Sequence, residues 1–158
     1  MDTAVELEFA DGTYRFWLPM PQILELERVC GMKDGEGRQH SKSVFTMFEE
    51  MSRGLVYDAD EQVQYAGGGA SHALDINETL RLGLIGGKSG MVNGVEIEVG
   101  ALTAKRLVSE YGYPAVNLGD ALVTAWTVLD RAINGTRLKK KASPIADADV
   151  GTSPTAKA

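Results

Sequence analysis

The chain has 158 residues, 44% of them apolar and 24% charged, a composition that suits one globular domain with one core. Its apolar runs fall far short of the roughly 20 residues a membrane-crossing helix needs, and Met1-Asp2-Thr3-Ala4-Val5-Glu6 lacks the basic-then-apolar pattern of a signal peptide. A single cysteine, Cys30, excludes an internal disulfide framework and fits a reducing compartment, and the net charge of −6 argues against a coat for nucleic acid or anionic membrane.

The charge is uneven. Residues 1–135 hold 11 basic and 20 acidic side chains, a net −9, whereas residues 136–158 hold five basic and two acidic, a net +3. The second stretch has two prolines and no aromatic residue, so it is expected to be a disordered basic tail behind a folded domain over 1–135.

Val5, Leu7 and Phe9 alternate with Glu6 and Glu8, and Tyr14, Phe16 and Leu18 alternate with Arg15 and Trp17 around Asp11-Gly12. That period of two predicts a β-hairpin with one apolar face, its turn using glycine for positive φ. Pro21 opens a helix to about Cys30, with Ile23, Leu26, Val29 and Cys30 on one stripe and Gly31 as the stop. Residues 32–42 read as a polar loop. Ser43 caps a second helix whose apolar stripe is Val44, Phe45, Phe48 and Met51. Residues 55–72 give no clear period, and Gly67-Gly68-Gly69 within them should be flexible.

Asp75 and Glu78 stand at capping-box spacing before a helix that stops at Gly86-Gly87. Asn93-Gly94 then precedes Val95, Ile97 and Val99, either one short strand or half of a hairpin beginning near Met91. Two helices follow, about 102–111 and 116–134, broken at Tyr113-Pro114. The sum is an α+β fold, mainly α-helical, with an N-terminal β-hairpin packed on about five helices.

No stretch carries a convincing active site. Gly83-Leu84-Ile85-Gly86-Gly87-Lys88-Ser89 resembles a phosphate-binding loop, but Leu82 stands where that motif needs its first glycine, and the stretch ends a helix instead of following a strand. His40 and His72 lie in separate polar segments without metal-ligand spacing, and Cys30 sits on an apolar stripe. No catalytic, cofactor-binding or metal-binding residue is assigned, and no cofactor is expected. Glu6, Glu8, Glu96 and Glu98 read as the solvated faces of strands. Trp126 falls on a helical stripe and belongs to the core. Trp17 falls on the polar side of the hairpin and, with Tyr14, forms the candidate partner contact.

Three segments in order carry a resemblance. They are Ile23-Leu24-Glu25-Leu26-Glu27-Arg28-Val29-Cys30-Gly31, Ile76-Asn77-Glu78-Thr79-Leu80-Arg81-Leu82-Gly83-Leu84-Ile85-Gly86-Gly87, and Ala104-Lys105-Arg106-Leu107-Val108-Ser109-Glu110-Tyr111 before a proline and a long apolar helix. Together, over roughly residues 4–135, they resemble the small tail proteins of gene transfer agents and siphophage-like prophages, described as tail assembly chaperones and also labelled tail tube proteins. The resemblance implies a chaperone in the bacterial cytoplasm that binds the tape measure protein and supports polymerisation of the tail tube protein around it. It also implies an apolar groove with an acidic rim, and homo-oligomerisation through the hairpin's edge strand. The alternative it carries is a structural virion subunit of the tail tube or connector.

Overall fold

The computed structural model describes residues 2–136. The basic tail therefore lies, apart from Thr136, outside the described residues. Among those residues the chain forms five α-helices and eight short strands, an α+β fold.

The first hairpin joins β1 (Val5–Phe9) to β2 (Gly12–Phe16), with Val5 opposite Phe16 and Phe9 opposite Gly12. The positive φ of its two-residue turn falls on Ala10, at 57°, not on the glycine. Gly12 serves a different need, because a Cβ there would stand 2.2 Å from the Met91 carbonyl oxygen. That close approach exists because β7 (Ser89–Val92) pairs with β2 and continues into β8 (Val95–Glu98). Asn93 and Gly94, with φ of 52° and 78°, make the tight turn between them. The N-terminal hairpin is thus half of a four-stranded antiparallel sheet in the order β1-β2-β7-β8.

α1 (Met20–Val29) begins with proline in its first turn. α2 (Val44–Ser52) is capped by Ser43, whose side chain accepts from the Phe45 N–H. Its inward stripe is Val44, Met47 and Met51, whereas Phe45, expected inside, is 67% exposed. The angular step of 100° per residue puts Met47, three positions from Val44, on the buried side and Phe45 on the wet one. The polar loop between α1 and α2 holds a small hairpin, β3 (Met32–Lys33) with β4 (Gln39–His40). The stretch without a clear period holds another, β5 (Leu55–Tyr57) with β6 (Val63–Tyr65).

α3 (Ala73–Gly87) is the central element, buried on most of its circumference. Its N-cap is His72, so Asp75 lies inside the first turn and no capping box forms. The helix is pressed against β2 so closely that Cβ atoms at Gly86 and Gly87 would meet the Trp17 and Arg15 carbonyl oxygens at 2.0 and 1.7 Å. The Trp17 N–H donates to the Gly83 carbonyl across this contact. α4 (Ala101–Tyr111) and α5 (Leu118–Asn134) complete the core, α5 capped by Asn117 accepting from the Asp120 N–H. Tyr14, Phe16, Leu26, Met47, Leu84, Leu107 and Leu129 are all fully buried in one contiguous cluster.

Candidate binding surfaces

The sheet has two unlike faces, as a pleat of period two requires. Inward lie Val5, Tyr14, Phe16 and Gly90, with the Tyr14 ring lying over Gly90, where a Cβ would be 2.4 Å away. Outward lie Glu6, Glu8, Thr13, Arg15, Ser89, Met91, Glu96 and Glu98, none of them buried. Tyr14, paired with Trp17 as a contact residue, is therefore corrected to a core residue. Its ring is wholly covered and its hydroxyl donates to Asp11 Oδ1 at 2.6 Å. Burial first, then the Asp11 carboxylate, push that hydroxyl's pKa up to about 12.

Trp17 stays half-exposed beyond the end of β2. Its indole N–H donates to Thr3 Oγ1 at 2.8 Å, and the Arg15 guanidinium stacks over its ring at 5.2 Å. Both contacts fix the ring in place and leave part of its surface open.

A buried charge cluster ties the helices together, and no sequence pattern pointed to it. Lys42 Nζ lies 2.7 Å from Glu50 on α2 and 2.5 Å from Asp75 on α3. Asp75 is 1% exposed. Burial alone would lower the Lys42 pKa, but the hydrogen bonds to Asp75 and Glu50 outweigh it and hold the ammonium above its ordinary value. A lysine held protonated in this way is no amine nucleophile. Its ion pairs join the α1–α2 connection to two helices. The Val44 N–H adds a bond to Glu27 Oε2 on α1.

Cys30 borders the same cluster. Burial, then the nearby Asp75 carboxylate, push its thiol up to about 12, far from a reactive thiolate. His40 is exposed and bonded to Asp34 Oδ2 at 2.9 Å, while His72 sits at the start of α3. No group of three His, Cys, Asp or Glu side chains able to hold a metal ion occurs among the described residues. The glycine stretch lies at the C-terminal end of α3, where Lys88, at φ 69°, closes the helix with its N–H on the Leu84 carbonyl. None of the described helices is long and apolar enough to cross a membrane.

An apolar concave surface lies where the start of α3 meets the start of α5. Two adjoining hollows of about 340 and 300 Å³ share Ala73, Ile76 and Leu118 as lining. Four large side chains stand open along them, Tyr65 (45%), Leu74 (48%), Tyr113 (63%) and Leu118 (43%). Leu80 and Leu122, both buried, form part of the floor. The Tyr65 ring lies across Gly119, which leaves room for it by lacking a Cβ, and its hydroxyl donates to the Gly68 carbonyl. Ser71 Oγ is buried in the same cleft with no hydrogen-bond partner among the described residues.

The sequence singled out neither Leu74 nor Tyr65, because the first precedes its helix's apolar stripe and the second falls in the stretch without a period. Compared with family models, with curated proteins and with solved structures, the chain matches none.

Proposed function

We propose that the chain is a tail assembly chaperone of a gene transfer agent or siphophage-like prophage. In this reading it works in the bacterial cytoplasm, binds the tape measure protein and supports polymerisation of the tail tube protein around it. The observation that carries the reading is the apolar cleft between α3 and α5. A tape measure protein exposes long apolar helical faces before assembly, and a chaperone for it must offer apolar surface without aggregating itself. The cleft supplies Tyr65, Leu74, Tyr113 and Leu118 as side chains open to such a face. Aromatic and leucine anchors in a hollow are the residue types that dominate recognition of an apolar helix. The folded body's net −9 keeps the remaining surface soluble around that patch.

The order of segments supports the same reading. The Ile23–Gly31, Ile76–Gly87 and Ala104–Tyr111 stretches that resemble the family become α1, α3 and α4, which all pack into the core. Homo-oligomerisation through β1 belongs to the same proposal, and there the exposed glutamates of β1 and β8 would meet like charge at a shared edge.

Co-expression with the tape measure protein tests the reading. The expected result is a more soluble client and a complex that survives purification, and failure of both refutes it. Mass spectrometry of purified particles separates the chaperone from the structural virion subunit. A chaperone is absent from finished particles, whereas a tube or connector subunit is present in stoichiometric amount.

A further inference from the structure

One wall of the 340 Å³ hollow is held by very few contacts. Residues 67–71 join β6 to α3 and supply Gly68, Gly69 and Ser71 to its lining. Both ends of this segment are pinned. The Ala66 N–H donates to the Gly54 carbonyl at 2.9 Å, and the His72 carbonyl accepts from the Ile76 N–H at 3.2 Å. Between the pins, no N–H of residues 67–71 donates to another described residue. The one hydrogen bond made there runs from the Tyr65 hydroxyl to the Gly68 carbonyl, at 3.2 Å. Residues 67–70 are exposed, and a methyl at Gly67 or Gly68 would meet nothing within 4 Å. The segment is seated on Gly54, just past α2. A Cβ at Gly54 would stand 3.1 Å from the Tyr65 ring and 3.2 Å from the Gly68 carbonyl oxygen, and one at Gly69 would stand 3.3 Å from the Gly54 Cα.

Two opposed effects act on this wall. Closed, it leaves Ser71 Oγ buried without a hydrogen-bond partner among the described residues, a cost that water removes once the wall moves away. The same wall helps to cover Ile76 and Leu122, only 6% and 5% exposed, and burial of their apolar surface favours closure. The backbone adds freedom to move. Gly67, Gly68 and Gly69 take φ of 113°, 77° and 92° in succession, a region from which glycine crosses to negative φ without steric penalty. A segment with few bonds, opposed packing and a glycine backbone opens at low local free energy.

We propose that residues 67–71 form a strap that opens over the inner end of the hollow, with the Tyr65 hydroxyl as its latch and Gly54 as its seat. Opening wets Ser71 and uncovers Ile76 and Leu122. An apolar occupant that reaches this floor binds the open form alone, so its affinity is scaled by the fraction of chains that are open. The strap borders the cleft of the client reading but is a property of the chain by itself. It is therefore tested without a client, and failure of either leaves the other standing.

Thiol labelling of the full chain with the Ser71→Cys substitution tests this, using iodoacetamide at pH 8 and peptide mapping. Cys30, buried on α1, is the internal control for unfolding of the whole domain. The expected result is alkylation at position 71 faster than at Cys30 and slower than at position 71 in urea. Adding Tyr65→Phe should raise the rate at position 71 about two- to tenfold, the population change that one neutral hydrogen bond governs. Adding Gly54→Ala should raise it as well, by unseating the strap. Neither change should alter the Cys30 rate or the far-ultraviolet dichroism. Labelling at position 71 only in step with Cys30 overturns the proposal, since the strap then moves only when the domain unfolds. Labelling at the urea rate overturns it too, because no closed form then exists. A rate unmoved by Tyr65→Phe removes the latch and with it the proposal.

Discussion

Lys42 shows best how a single residue holds this fold. It reaches across the junction of three helices to Glu50 and Asp75, and its removal leaves two carboxylates close together and partly out of water. Breaking a buried ion pair from one side costs about 3–5 kcal/mol, because the charge left behind is uncompensated. Lys42→Met is expected to destabilise the protein by that amount in urea unfolding, and a cost within experimental error contradicts the cluster's role. Gly87 is the second such position. An added methyl would lie 1.7 Å from the Arg15 carbonyl oxygen, whereas at Gly35 it would meet nothing within 4 Å. Overpacking of this kind costs about 1–3 kcal/mol or more, so Gly87→Ala should lower the unfolding midpoint clearly and Gly35→Ala should leave it nearly unchanged. The glycine pair was visible in the sequence as a helix stop. Its contact with β2 was not, because Arg15 and Gly87 lie 72 positions apart and no local pattern joins them.

At the scale of elements, local periodicity was legible wherever one face of an element is wet. The β1–β2 hairpin, α1, α4 and α5 all alternate between core and solvent, and their bounds fall within about two residues of the reading from spacing. α3 is different. It is buried nearly all round, so Asp75 and Glu78 read as surface caps although they are 1% and 8% exposed. The β3–β4 hairpin escaped notice because both its strands are exposed, and the β5–β6 hairpin because strands of three residues are too short to show a period. The joining of β2 to β7 rests on long-range pairing that only the folded chain supplies.

The burial of two titratable groups also sets a pH response. Cys30 on the α1 side and Tyr14 on β2 each hold their protons more tightly in the folded chain, with pKa values raised from 9.0 and 10.0 to about 12. Folded values above unfolded ones give stability that is complete below pH 9 and is lost as pH rises towards 12, where only the unfolded chain ionises freely. Lys42, also raised, acts in the same direction. Urea midpoints between about pH 8 and pH 11 should therefore fall with alkali, and Cys30→Ala should remove the earliest part of the fall. A midpoint independent of pH across that range contradicts the burial of both groups.

At the scale of the whole molecule, two surfaces stand apart. The apolar cleft where α3 and α5 begin is the surface we propose for the client, and the acidic sheet face lies near the other end of α5. The cleft was not legible in the sequence, since its four open side chains come from β6, α3, α5 and the α4–α5 connection. Trp17 was legible as a half-open residue by alternation alone, whereas Tyr14 on the same strand is core. The central claim is that the cleft binds an apolar helical partner. The most direct measurement is size-exclusion co-purification of the full chain with the tape measure protein, in native form and as the Leu74→Lys/Leu118→Lys double variant. Leu74 and Leu118 are both more than two-fifths exposed, so the variant should fold with unchanged circular dichroism. The account predicts a complex with the native chain and its loss with the folded variant. A complex that survives both substitutions, or no complex with the native chain, contradicts it.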